Sequence, residues 1–312
     1  MYGILQLILP VFVLIALGVI LKRKNIVSDE GIVTLKNLAV NIFLPFTAFN
    51  AVIYGTFTKD SIVLILLEIA VLFIAYGLGF LYKRFFSEDI RGYVPYSITT
   101  FEGGMFGWAM VSMLVGSENL FYLVQMDIFN GLFCFTVVTT GLVLLTGKKQ
   151  SKKEVAISII TSPLIIAVIL GIIGAYFKLG EKIDNSPFVG TYKTLIGFLT
   201  QPLSPIILIC IGSGLEFKFD ILSKGIKLVF FRFVTMLVLM LLSLLFISKT
   251  IGLTPVLTKS LLVYFLIPPT FLLPIYANDK NKIEFISGFL SLQIIVSLVC
   301  YVIITFISPS IV

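Results

Sequence analysis

Nearly the whole of this chain divides into apolar stretches, each long enough to cross a bilayer, separated by short polar breaks. A spanning helix needs roughly 20 mostly apolar residues, and in hydrocarbon every backbone N–H and C=O must find a partner within its own segment. That length pattern leaves little sequence for anything outside a membrane. It predicts an all-α polytopic membrane protein. Of the 312 residues 58% are apolar and 12% charged, where a soluble domain carries about a quarter charged residues, so an ordinary soluble fold is excluded.

The net charge of +7 does not indicate nucleic acid, because a basic binding surface needs a soluble face to carry it. Cys134, Cys210 and Cys300 all lie in apolar runs and read as packing, with neither a disulfide framework nor a thiolate metal site indicated. Histidine is absent, which removes the commonest zinc ligand. There is no Gly-x-x-x-x-Gly-Lys phosphate loop and no Gly-x-Ser-x-Gly elbow, so the sequence points to neither an ATP-driven pump nor a membrane enzyme, and no cofactor or metal is expected. The first apolar run, from about Ile4 to Leu21, has no basic residue before it and no small-residue cleavage pattern after it. It reads as a retained helix.

Polar breaks place ten candidate spans near 3–22, 33–54, 61–82, 95–115, 119–146, 155–177, 190–215, 227–247, 258–277 and 284–307. Lys and Arg then set the sidedness, since cytoplasmic loops retain them. If the turn Lys22-Arg23-Lys24 is cytoplasmic, 17 cations fall on that side, Lys36 and Arg232 among them, against 6 on the other. Both termini are therefore expected outside the cytoplasm, in the cell membrane. The halves echo each other: Pro10 and Gly18 are eight apart, as are Pro163 and Gly171, while Lys36 and Pro45 are nine apart, as are Lys193 and Pro202. With five helices per half such a repeat is inverted, the arrangement of alternating-access transporters with a site at the repeat interface. The halves would be 1–147 and 154–312, joined by a short cytoplasmic linker at 148–153.

Two places carry candidate chemistry. The fourth span contains Glu102-Gly103-Gly104-Met105-Phe106-Gly107 and the ninth contains Pro268-Pro269, each able to unwind a helix at mid-membrane. Half-helix N-termini there offer unpaired N–H groups that suit a carboxylate. One such break alone reads as a kink; two at corresponding positions point to function. Glu102, Asp127 and Glu68 are the acids deep in spans. An intramembrane acid marks a functional site by default, and Glu102 and Asp127 are the candidates for binding a coupling cation or a proton. The bland alternative is an acid hydrogen-bonded against neighbouring helices. Asn37, Asn41 and Thr47 could line the same cavity, or simply bond between helices.

The stretch Ile8-Leu9-Pro10 to Gly18, the basic turn after it, and Asn41-Ile42-Phe43-Leu44-Pro45 resemble the auxin efflux carrier family of bacterial and plant transporters. So do Ser162-Pro163 to Gly171 and Pro268-Pro269 to Ala277. The resemblance implies ten helices in two inverted five-helix repeats, with helices 1, 2, 6 and 7 as scaffold and helices 3–5 and 8–10 as a mobile transport domain. It also implies a binding site where broken helices four and nine cross, here Glu102 to Ala109 and Pro268 to Thr270. The chain departs from the family's Asn-x-Gly-x-x-Gly-x-Pro pattern, having Glu102 for the amide and Ala109 for the proline.

The expectation is an elevator-type secondary transporter of a small organic anion, a mono- or dicarboxylate resembling auxin or malonate. Asn41, Thr47, Gly103, Gly104, Pro268, Pro269 and Thr270 would bind substrate; Glu102 and Asp127 would take Na+ or H+. Further expected partners are the lipid bilayer and, through the scaffold, a second copy of the chain. The rival readings are a sodium-coupled carrier like the bile-acid symporters, a cation/proton antiporter, and a membrane receptor that binds its ligand without moving it.

Overall fold

The computed structural model describes residues 2–145, 153, 157, 160–215, 219–277 and 280–307. Most of the expected 148–153 linker lies outside these residues, as does the start of the sixth span. Among the described residues there are helices and turns and no strand, as the spacing of apolar runs requires.

The helices follow in the expected order. They are α1 (Tyr2–Arg23), α2 (Asp29–Ile53), α3 (Lys59–Tyr82), α4 (Val94–Thr99), α5 (Trp108–Val115) and α6 (Phe121–Leu145). Then come α7 (Pro163–Tyr176), α8 (Leu179–Asp184), α9 (Val189–Gly214), α10 (Phe219–Thr250), α11 (Pro255–Leu266) and α12 (Lys280–Ile307). Six of them (α2, α3, α6, α9, α10 and α12) are each long and apolar enough to cross a membrane, while α7 and α11 are apolar but shorter. Large apolar side chains such as Phe12, Ile62, Leu66, Phe73, Phe198 and Phe246 stand exposed on the outer faces, which suits a lipid surround and would be untenable in water.

Local sequence explains where the helices begin. Ser28 caps α2 by accepting the Gly31 N–H (3.1 Å), with Asp29 and Glu30 in the positive first turn. Thr58 and Ser61 form a reciprocal capping box at α3. Thr254 caps α11 and Pro255 occupies the first turn, where no N–H is needed.

Small residues decide the packing. Gly18 of α1 lies against the backbone of Ile209 in α9, and a Cβ there would come within 2.0 Å of a carbonyl oxygen. Gly212 makes the reciprocal approach to Ile15. Helices α7 and α2 pack together through Gly171 against Val52. Backbones this close gain dispersion contacts, which drive helix association in lipid where the hydrophobic effect does not.

Arg232, counted with the cytoplasmic cations, lies inside α10, within the expected span 227–247, and is fully buried. Setting it aside leaves 16 of the 17 cations against 6. Lys36, likewise counted for orientation, sits in the third turn of α2.

Candidate functional site

The glycine cluster and the proline pair both interrupt helix, and the interruptions meet. Helix α4 ends at Thr99, residues 100–102 are non-helical with Thr100 extended, and a wide π-type turn over Gly103–Gly107 leads into α5. Helix α11 ends at Leu266, and residues 267–270 are non-helical up to the turn over Leu273–Tyr276. Where they cross, the Glu102 N–H donates to the Pro268 carbonyl at 2.8 Å. The Thr270 N–H donates to the Thr100 hydroxyl at 3.2 Å, and the Phe271 N–H to the Glu102 carboxylate at 2.5 Å. Backbone freed by each break is thus satisfied by the other, the condition for irregular chain at membrane depth.

The expected site residues divide into two groups. Glu102, Gly103, Gly104, Pro268, Pro269 and Thr270 all lie at this crossing. Asp127 joins them from α6: it accepts from the Trp108 indole N–H (2.8 Å) and the Asn130 amide (3.1 Å), and a Cβ on Gly103 would sit 1.8 Å from its Oδ1. Gly103 is therefore glycine because a carboxylate occupies the space beside it. Asn41 and Thr47 differ. Asn41 lies in a π-type turn of α2 (Ala39–Phe43) with its side chain exposed, and the Thr47 hydroxyl is engaged by its own helix, donating to the Phe43 carbonyl at 2.8 Å. That turn does touch the 103–107 turn.

A backbone N–H just ahead of the Leu273–Tyr276 turn already holds a carboxylate. Glu102 supplies it through the Phe271 N–H. Beside the crossing lies a cavity of about 460 Å³ with a cation in its wall. Phe271 and Pro274 form its wall on the side of the break, Lys36 and Val33 of α2 and Cys210 and Ile211 of α9 the facing wall, and Ser287 and Ser291 of α12 add hydroxyls. Its size falls in the 300–1,000 Å³ range of small-molecule sites, and its mostly apolar lining with a few convergent polar groups matches their chemistry. A second hollow of about 420 Å³, lined by the 85–90 turn with Lys224 and Lys227, touches neither break.

A family model described as Membrane transport protein matches residues 3–307, nearly the entire chain. The chain belongs to this family. The match agrees with the resemblance to the auxin efflux carriers, and it makes the molecule a membrane transporter. No individual curated protein matches it.

Within this transporter three residues matter that the sequence reading did not assign to the site. Lys36 was read as an orientation charge and a repeat landmark; its place among apolar residues of a membrane helix was the available signal. Asn130 lies one turn after Asp127 in α6. It clamps the break itself, accepting from the Phe101 N–H (3.1 Å) and donating to the Phe101 carbonyl (2.8 Å). Arg232 gave the same signal as Lys36, a cation inside the expected span 227–247, but its partners are backbone carbonyls and could not be read from the sequence. Glu68 is buried in α3 and accepts from the Tyr264 hydroxyl (3.1 Å), while the Tyr264 ring stacks on Phe101 (4.6 Å between centroids).

Proposed function

We propose that the chain is a secondary transporter of a small organic anion, a mono- or dicarboxylate, working by elevator-type alternating access with coupling to H+ or Na+ through Glu102. The observation that carries this reading is the cavity between α2 and α9 on one side and the crossing on the other, with Lys36 in its wall. One cation in a mostly apolar chamber is the minimum needed to take a carboxylate out of water, since an unpaired charge at that depth is costly. Phe271 lines the chamber, and its N–H holds the Glu102 carboxylate. A ligand pressing on Phe271 therefore acts on the acid that would carry the coupling ion.

Two inverted five-helix repeats are part of the proposal, and the pairing of helices supports them. Helix α1 packs on α9 as α7 packs on α2, and Gly18 and Gly171, matched in the sequence, make the close approach in each pair. A scaffold of α1, α2, α7 and α9 would then hold still while the crossing moves.

The test is uptake into proteoliposomes across a panel of radiolabelled carboxylates under imposed pH or sodium gradients, comparing wild type with Glu102→Gln. The reading requires saturable uptake of at least one carboxylate and a gradient dependence that Glu102→Gln abolishes. If no gradient alters uptake and Glu102→Gln behaves as wild type, coupling through Glu102 is wrong; if no carboxylate enters, the anion is wrong.

A further inference from the structure

The crossing brings together the C-terminal ends of two half-helices as well as their breaks, and those ends expose carbonyl oxygens. Arg232 reaches four of them. Its Nη1 donates to the carbonyls of Ser97 (2.9 Å) and Ile98 (2.7 Å), and its Nη2 to those of Thr100 (2.6 Å) and Ile267 (3.2 Å). Three of these oxygens end α4 and the fourth follows α11. Its guanidinium carbon stands 5.5 Å from the Phe101 ring centroid. Among the described residues its hydrogen-bond partners are carbonyl oxygens and none is a carboxylate.

A fully buried guanidinium without a counter-ion is expensive unless something else supplies negative charge. Each helix C-terminus carries up to about half a negative charge. Two ends together come close to one, which a single guanidinium cancels, and its planar fork spans both sets of oxygens as a point charge cannot. In transporters built on broken helices, unwound carbonyls and half-helix C-terminal ends of this kind coordinate the coupling Na+.

We infer that Arg232 is a tethered cation, held by the four carbonyls where a coupling metal ion would otherwise sit, so that the crossing is neutralised and its two half-helices joined without Na+. Arg232 is thus a positioning residue. It ties α4 and α11 to α10, so the three shift as one piece in any movement of the crossing. This inference rests on the carrier reading only where it bears on coupling: of the two ions offered above, it leaves the proton at Glu102. The bond network itself stands whatever the cargo.

The test needs no substrate. The purified full-length protein is unfolded thermally in detergent at constant ionic strength in sodium, choline, guanidinium or tetramethylammonium chloride, the last two at low millimolar concentration. Wild type should unfold identically in sodium and choline. Arg232→Ala should lose roughly a hundredfold or more in its folded-to-unfolded ratio, the cost of breaking a buried charged network. Guanidinium, filling the vacated oxygens, should restore about tenfold of that where tetramethylammonium restores nothing. Specific stabilisation of wild type by sodium would overturn the inference, and so would an Arg232→Ala protein that is as stable as wild type or indifferent to guanidinium. Should Arg232→Ala yield no folded protein, Arg232→Lys must be more stable than the neutral Arg232→Gln, and the reverse order would refute a role for charge. Failure of carboxylate uptake touches none of these readouts, so the carrier reading and this one fail separately.

Discussion

Adding one methyl group at Gly103 should do unusual damage, and the damage should vanish from the ledger when Asp127 is also shortened. An ideal Cβ at Gly103 lies 1.8 Å from Asp127 Oδ1 and 2.3 Å from its Cγ. To reach even a tight 3.0 Å contact, Oδ1 must retreat by 1.2 Å (3.0 minus 1.8). That displacement is enough to break the bond Oδ1 accepts from Asn130 (3.1 Å), and turning the carboxylate away also pulls Oδ2 from the Trp108 indole (2.8 Å). Overpacking costs about 1–3 kcal/mol and a lost buried bond to a charged group about 1.5–3 kcal/mol, so Gly103→Ala should cost roughly 3–5 kcal/mol. Asp127→Ala strands the same two donors without any clash and should cost roughly 2–5 kcal/mol. The double variant loses those bonds once and has no clash, so it should be about as stable as Asp127→Ala alone. The coupling then equals the whole cost of Gly103→Ala, roughly 3–5 kcal/mol, at or above the upper end for contacting residues. Trp108 is the chain's single tryptophan, and its indole is bonded to Asp127, so its fluorescence during equilibrium unfolding in mixed micelles reports on this place directly. Additive single-variant effects would refute the packing argument.

Two further substitutions probe the frame around the site. Asn130→Ala removes both partners of the Phe101 peptide and should destabilise by roughly 2–5 kcal/mol, with Asn130→Asp intermediate because it keeps the acceptor; equal stability of all three by micelle unfolding would show that the clamp is unimportant. Gly18→Leu should prise α1 from the Ile209 backbone and lower the unfolding midpoint, whereas Gly77→Ala, with nothing within 4 Å of its added Cβ, should be neutral or gain up to about 1 kcal/mol of helix stability.

The helices were legible in the sequence because hydrocarbon imposes one length and one hydrogen-bonding solution on every span. The two breaks were legible for a related reason: Gly103-Gly104 and Pro268-Pro269 are residues that weaken or forbid helix wherever they stand. Glu102 and Asp127 announced themselves by the cost of an acid in an apolar run. What stayed hidden was the pairing. Arg232 follows Lys224 and Lys227 by a few residues and was counted with them for sidedness. Its partners are carbonyls contributed by residues of any type, which leave no mark in a sequence. Asn41 and Thr47 left two readings open in the sequence, and for Thr47 the local one has a visible bond, its hydroxyl donating one turn back in its own helix. Lys36 escaped notice as a site residue because only the approach of α9 and α12 makes its surroundings a chamber.

The central claim, that this transporter carries an organic anion through the chamber at Lys36, is tested most directly by counterflow. Proteoliposomes preloaded with an unlabelled carboxylate are given the same compound labelled outside. A transient accumulation of label is expected in wild type, at a rate about tenfold or more lower in Lys36→Gln, which stays polar and is one atom shorter but loses the charge that offsets the cost of a buried carboxylate. Binding of the carboxylate without counterflow would make the protein a receptor, and undiminished counterflow in Lys36→Gln would place the anion somewhere else.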